Sequence, residues 1–333
     1  VITSAHIHIL RVRGEDMSKG EEILGLFPDY FRGIWKKVME RADCLQEIRL
    51  RAAGPVMLLL EQRECFLTGE GEITYNPQRA LYIGRKELDG IMNHICRYSV
   101  YAFEEELRQG FLTVPGGHRV GVAGQVVTDE GGVVRKLKHI SYLNIRIAHE
   151  VLGAADGVMP YLYHAGRFLS GMIISPPGCG KTTMLRDIVR QVSDGNPHGR
   201  GQCVGVVDER SEIAGSYMGI AQNTVGIRTD ILDGCPKAAG MMMLIRSMSP
   251  RVVAVDEIGS MEDVHALQQV LQCGSSLIVT VHGNSMEEVR NKAYMKELLQ
   301  RKEFRRFIVL TRKAGKCAVE GIFDEDYRLC SGF

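Results

Sequence analysis

Apolar and polar positions change rhythm about half-way along the chain. Up to about Ala165, helical and strand periods are mixed in short pieces. Ile34, Val38 and the residues that follow repeat at helical spacing, whereas Glu47-Ile48-Arg49-Leu50-Arg51 alternates charged and apolar residues as a half-buried strand does. Phe111-Leu112-Thr113-Val114 and Arg119-Val120-Gly121-Val122-Ala123-Gly124 flank Gly116-Gly117, a hairpin signal. Gly124-Gln125-Val126-Val127 and Val133-Val134-Arg135 flank Asp129-Glu130-Gly131-Gly132 in the same way. Residues 21–150 therefore read as a small α+β domain with an antiparallel sheet, ending at Ile145-Arg146-Ile147.

Beyond Leu162 the pattern becomes strand, loop and helix in alternation. This signals a mainly parallel sheet covered by helices, an α/β domain over residues 166–333. The expected strands are Met172–Ile174, Val204–Val207, Val252–Val255 and Leu277–Val281, each followed by polar residues at its carboxyl end. That end is where ligands bind in open α/β sheets. A closing hairpin is expected from Phe307–Thr311 and Ala318–Phe323 across Lys313-Ala314-Gly315-Lys316. Between the two domains, Gly153 to Gly157 reads as a hinge inside a linker over 151–165. Residues 1–20 are expected to be a flexible tail, or Val1–Asp16 an upstream translation start, because Val1–Asp16 precede Met17 and lack the apolar core of a signal peptide.

Ser175-Pro176-Pro177-Gly178-Cys179-Gly180-Lys181-Thr182-Thr183 follows the first strand of the second domain. It reads as a Walker A phosphate loop, whose backbone N–H groups wrap phosphates while Lys181 reaches the β and γ oxygens and Thr182 reaches Mg²⁺. Leu185, Ile188, Val189 and Val192 recur at helical spacing, so the loop opens a helix and is more than a tight connection. Ser175 stands where the pattern has its first glycine. A small serine can replace glycine there if φ stays negative.

Val252-Val253-Ala254-Val255-Asp256-Glu257 has the form of a Walker B strand, with Asp256 to hold the metal and Glu257 to polarise an attacking water. Such a run is common by chance and gains weight from the phosphate loop upstream. Val204-Gly205-Val206-Val207-Asp208-Glu209-Arg210 repeats the design, so Glu209 competes with Glu257 as the base. His282 ends the strand Leu277–Val281 and is placed to sense the γ-phosphate, although an isolated histidine is more often structural. Ser285 and Glu288 form a capping box for the next helix. Arg210, Arg228 and Arg246 in this domain, and Arg119 and Arg146 in the first, are candidates to stabilise the transferred phosphoryl group.

Bulk properties narrow the picture. The 333 residues are 45% hydrophobic and 24% charged, with a formal net charge of +1, so no global field favours nucleic acid or an anionic membrane. Nine cysteines are dispersed without C-x-x-C spacing, which fits a reducing compartment better than a disulfide framework or a zinc site. The longest apolar runs, such as Val56-Met57-Leu58-Leu59-Leu60, fall far short of the ~18 residues of a membrane span. Any membrane association must come through a partner.

In this order, Ser175–Thr183, Asp208-Glu209-Arg210, Asp256-Glu257 and Thr280-Val281-His282-Gly283-Asn284-Ser285 resemble the Walker A, Asp-box, Walker B and His-box motifs of the secretion ATPase superfamily, the ring-forming motors of type II and type IV secretion. The wording of Glu47–Arg51, Gly117-His118-Arg119-Val120-Gly121, Asp233-Gly234-Cys235-Pro236-Lys237, Arg246-Ser247-Met248-Ser249-Pro250 and Val255-Asp256-Glu257-Ile258-Gly259 is closer to the sporulation branch found in endospore-forming bacteria. The resemblance implies a RecA-like ATPase using ATP and Mg²⁺. It also implies a homo-hexamer, cytoplasmic and peripheral at the mother-cell side of the forespore membrane, working with membrane proteins of the sporulation channel apparatus. The usual Gly-Glu-x-Arg-Asp at Walker B is replaced by Asp256-Glu257-Ile258-Gly259-Ser260, which leaves the division of metal and base roles open.

Three rivals come from the residues themselves. Asn291-Lys292-Ala293-Tyr294 is a weak guanine-reading motif, since Tyr294 stands where the aspartate must be. Arg301-Lys302, Arg305-Arg306 and Arg312-Lys313 would serve a nucleic-acid-binding ATPase, although such charges usually mark a solvated surface. A scaffold that binds ATP without turnover fits poorly with a full Walker B pair.

Overall fold

The computed structural model describes residues 18–99, 103–313 and 316–332. The chain divides between His149 and Glu150 into two compact units. Of the expected tail, Val1–Met17 lie outside the described residues. Ser18 instead caps helix α1 (Lys19–Leu24) in a reciprocal box with Glu21.

In the first unit seven strands form one antiparallel sheet: β1 (Leu45–Arg51), β2 (Met57–Leu60), β3 (Arg63–Leu67), β4 (Ile73–Thr74), β5 (Phe111–Val114), β6 (His118–Thr128) and β7 (Val134–Arg146), in the order β4-β3-β2-β1-β7-β6-β5. Helix α2 (Arg85–Ile95) packs Leu88 and Ile91 into the same core as Ile48 and Leu50. The alternation in β1 thus buries one face, and Glu47, Arg49 and Arg51 occupy the other. Trp35 stacks on Phe27 with ring centroids 4.3 Å apart, both fully buried. Both glycine-marked hairpins form. β5 turns into β6 through Gly116 and Gly117 at φ 80° and 71°, and Asp129 accepts from the N–H groups of Gly131 and Val133 between β6 and β7.

The second unit carries an eight-stranded sheet: β8 (Gly171–Ser175), β9 (Val204–Asp208), β10 (Thr229–Asp233), β11 (Val252–Val255), β12 (Ser276–His282), β13 (Arg306–Lys313), β14 (Lys316–Phe323) and β15 (Leu329–Gly332). The order is β10-β9-β11-β12-β8-β13-β14-β15, with parallel pairing from β10 through β13 and antiparallel pairing beyond. Helices α3 (Lys181–Asp194), α4 (Lys237–Ser247), α5 (Met261–Gln272) and α6 (Met286–Asn291) lie in the crossovers from β8 to β9, β10 to β11, β11 to β12 and β12 to β13.

Both faces of this sheet are covered, which is why its strands read as unbroken apolar runs. Ile173, Val204, Val206, Val252 and Ala254 join the core on the α3 side; Met172, Ile174, Val253, Val255 and Val279 join the core on the α4 and α5 side. In the stretch 151–165, expected as a linker, Ala155, Val158, Met159 and Leu162 are buried in the α3-side core. The closing hairpin is formed by β13 and β14; its turn residues Ala314 and Gly315 lie outside the described residues. Strands β10 and β15 were not expected from the pattern of residues.

Candidate functional site

Ser175 ends β8 in register with His282 of β12, and its carbonyl accepts from the N–H of Gly283 at 3.1 Å. It is fully buried and its φ is not positive, so it belongs to the strand and needs none of glycine's freedom. Gly178 and Gly180 do need it, at φ 66° and 77°. Pro176 and Pro177 have no N–H, so the loop's backbone donors begin at Gly178. Helix α3 starts at Lys181, and the first intrahelical bond described runs from Met184 N–H to Gly180 O at 2.9 Å. The N–H groups of Lys181, Thr182 and Thr183 are therefore those that a helix start leaves without an intrahelical acceptor.

Thr182 and Asp256 meet at the carboxyl edge of the sheet. The Thr182 hydroxyl donates to Asp256 Oδ2 at 2.7 Å, and the Thr280 hydroxyl of β12 donates to the other oxygen, Oδ1. The same Thr280 oxygen accepts from the N–H of Glu257 at 2.8 Å. Thr280 is fully buried. A lone hydroxyl inside the run Leu277–Val281 was its only sequence signal, and its role was missed.

The chain turns sharply after β11, leaving Glu257 at φ 57°, a conformation that side-chain-bearing residues seldom adopt. Its carboxylate lies 3.5 Å from the Lys181 ammonium and 3.1 Å from Arg210. Glu209 is engaged elsewhere, with Lys237 at 2.6 Å. A small cleft lined by Glu209, Arg210, Lys237, Asp256 and Glu257 joins the two acidic strand ends.

Asp208 differs from Asp256 in kind. It is buried and accepts from the backbone N–H groups of Glu212, Ile213 and Ala214 at 2.8, 3.0 and 2.8 Å, so it folds the loop after β9. Burial, opposed by those three amides, pushes its carboxyl up to about 6. Arg186 of α3 holds the same loop through the carbonyls of Glu212 and Ile213.

Two candidates of this unit do not arrive at this edge. Arg228 precedes β10 and donates to the Ser193 carbonyl at 2.9 Å, at the far end of α3, about 20 Å along that helix from Lys181. The structure therefore does not bring Arg228 to the phosphate loop of its own chain. Arg246 lies in the last turn of α4, about 14 Å along the helix from Lys237, which lines the cleft from the first turn. Arg119 and Arg146 are cross-strand partners in the first unit; Arg119 covers the Phe111 ring at 3.5 Å and Arg146 lies 3.6 Å from Glu47. Conversely, Arg312 of β13, expected only in a basic patch, donates to the Gly178 carbonyl at 2.9 Å.

A family model described as sporulation stage III, protein AA matches residues 17–329. The chain belongs to the sporulation stage III protein AA family. A relative in that family, stage III sporulation protein AA of Bacillus subtilis (strain 168), is 40% identical over 93% of this chain and 97% of its own length. Among solved structures, the ATPase DotB of Legionella pneumophila superposes with a TM-score of 0.59 at 14% identity, over 90% of this chain and 82% of that one. The pilus retraction motor PilT, solved with bound ADP, gives 0.54 at 14% identity over 87% and 81%. At those identities the likeness is one of fold, and it shows this chain's second unit to be a RecA-like domain with a mainly parallel sheet, preceded by a smaller α+β unit. Among the described residues no helix is long and apolar enough to cross a membrane.

Proposed function

We propose that this member of the sporulation stage III protein AA family binds ATP on the loop Ser175–Thr183 and hydrolyses it, driving the assembly of, or transport through, partner membrane proteins of a sporulation channel. The observation that carries the reading is the 2.7 Å bond from Thr182 to Asp256, which joins the start of α3 to the end of β11. The donor set there, a hydroxyl and a carboxylate, consists of the hard oxygens that Mg²⁺ takes. Thr182 and Asp256 would hold the ion, which when bound neutralises charge on the β- and γ-phosphate oxygens.

In this reading Lys181 and the N–H groups from Gly178 to Thr183 bind the phosphates, and Glu257 accepts a proton from the attacking water. Water oxygen bonds to the γ-phosphorus as the bond to the β–γ bridging oxygen breaks, giving ADP and phosphate. Glu257 is preferred to Glu209 because it sits beside Lys181, whereas Glu209 is tied to Lys237. Arg210, 3.1 Å from Glu257, replaces Arg228 as the arginine assigned to the transferred phosphoryl group within the chain. His282, level with Ser175 at the end of β12, is assigned to sense the γ-phosphate.

A homo-hexamer peripheral at the mother-cell side of the forespore membrane completes the proposal, on the strength of family membership. The nucleic-acid-binding alternative is weakened by ion pairs: Arg301 with Glu297 at 2.9 Å, Lys302 with Asp326 at 2.5 Å, and Arg305 and Arg306 with Glu325 at 2.8 and 3.4 Å. Phosphate release with Mg²⁺-ATP, with and without nucleic acid, tests the reading. Turnover lost in Lys181→Ala and indifferent to nucleic acid supports it, and no turnover in the parent overturns it. Light scattering with Mg²⁺-ATP tests the ring, and a monomer that hydrolyses at the same concentration would refute it.

A further inference from the structure

Cys179 lies in the phosphate loop between its two left-handed glycines and is 2% exposed. Arg312 and Cys317 are directly opposed on β13 and β14. Cross-strand partners share a face of the hairpin, and both of these side chains turn to the loop. The Cys317 thiol donates to the Gly178 carbonyl at 3.5 Å, beside the Arg312 bond to the same oxygen. A Cβ placed on Gly180 would sit only 3.8 Å from Cys317 Cβ. Gly178, whose carbonyl Cys317 reaches, is the residue next to Cys179, and Cys317 is exposed to solvent.

We propose that Cys179 and Cys317 form a reversible disulfide that ties the phosphate loop to the β13–β14 hairpin and closes the loop to nucleotide. Its second clause rests on the function proposed above, and the first does not. The oxidant is a low-molecular-weight disulfide, RS–SR. Cys317 loses its proton and attacks one sulfur; the S–S bond of the reagent breaks and the leaving thiolate takes up a proton. Cys179 then loses its proton and attacks the Cys317 sulfur, releasing the second RSH. Two protein thiols are oxidised and one reagent disulfide is reduced to two thiols.

Closure follows from geometry. A disulfide brings the two sulfurs to ~2.0 Å, which draws Cys179 toward β14. The N–H groups on either side of Cys179 are among those assigned to the phosphates, so the cradle is deformed where it must fit most closely. Partial desolvation against the loop and the neighbouring thiol raise the Cys317 thiol above its ordinary range, with Arg312 opposing. The bridge should therefore form faster as pH rises.

The test treats the full chain with oxidised glutathione, blocks remaining thiols and digests it for mass spectrometry. The expected product is a peptide pair linked through Cys179 and Cys317, abolished by reductant. In parallel, binding of a fluorescent ATP analogue should weaken by about tenfold or more on oxidation and recover on reduction. Cys317→Ala should bind nucleotide as the reduced parent does and keep binding after oxidation, with Cys317→Ser as a second variant if the first lowers Tm. Only separate blocked or glutathione-bearing peptides, or a Cys317→Ala chain as sensitive as the parent, would overturn the bridge. A linked peptide with unchanged binding would overturn closure. If the reduced parent binds no nucleotide, closure fails together with the proposed function, and the linked peptide still decides the bridge.

Discussion

Thr182 at the start of α3 and Asp256 at the end of β11 share a hydrogen bond of 2.7 Å, although β12 lies between the strands that lead to them. The bond spans the sheet edge because the parallel strands β8, β12 and β11 end side by side. If these two oxygens hold Mg²⁺, Thr182→Val and Asp256→Asn should each lower kcat by about a hundredfold or more. Phosphate release over a Mg²⁺ titration checks this. Near-parental turnover in Asp256→Asn would remove the metal assignment.

The two strand-end glutamates should separate cleanly. Glu257→Gln is expected to lower kcat by about 10² to 10⁴, with nucleotide affinity retained, as loss of a general base does. Glu209→Gln should cost less than about tenfold, since its partner is Lys237. Single-turnover rates combined with analogue binding discriminate the variants, and the reverse ranking would transfer the role to Glu209.

Backbone strain at Glu257 gives a stability signature of opposite sign to the activity loss. At φ 57° glycine is the better residue, so Glu257→Gly should gain about 1 kcal/mol, or roughly 2–4 °C in Tm for a unit of this size. The Arg210 pair it gives up is exposed, and the Lys181 pair, 14% exposed on the lysine side, is long at 3.5 Å, so together they offset only part of this gain. Calorimetry on the variant reads the sign, and a lower Tm would contradict the strain.

The first unit should lose stability in mild acid through His118. Its Nδ1 accepts from the Ala148 N–H at 3.0 Å, and its buried Nε2 has no partner among the described residues. Burial, with smaller contributions from Lys19 and His149, pushes it from 6.5 down to about 4. The unfolded chain therefore binds the extra proton first. Stability is full above about 6.5 and declines as pH falls toward about 4, by about 3 kcal/mol in all. Denaturant midpoints of the full chain across this range should slope downward, and His118→Gln should flatten the slope.

The strands of the second unit were readable because they are buried on both faces, which makes them continuous apolar runs. β10 was not, since Thr229-Asp230-Ile231-Leu232-Asp233 is a half-exposed edge strand that only its pairing with β9 organises. Trp35 ends a three-residue helical turn and Phe27 lies in a bend between two short helices, segments too brief for periodicity to show which residues meet. Arg312 illustrates the same limit at the site. As a sequence it belongs with Lys313 in a basic pair, and only the β13–β14 hairpin brings it to Gly178.

By itself the sequence determined the glycine-rich loop Ser175–Thr183 at a helix start, the acidic strand ends and the parallel sheet that carries them, because each is local: glycine freedom, helix start and apolar run occupy consecutive residues. Only the tertiary structure gave different partners to Asp208-Glu209 and Asp256-Glu257, two nearly identical endings. β11 stands one strand nearer to β8 than β9 does, so Asp256 meets Thr182 while Asp208 turns to its own loop. Partners across a parallel sheet follow from strand order, which joins residues far apart along the chain and leaves no periodic trace in either segment.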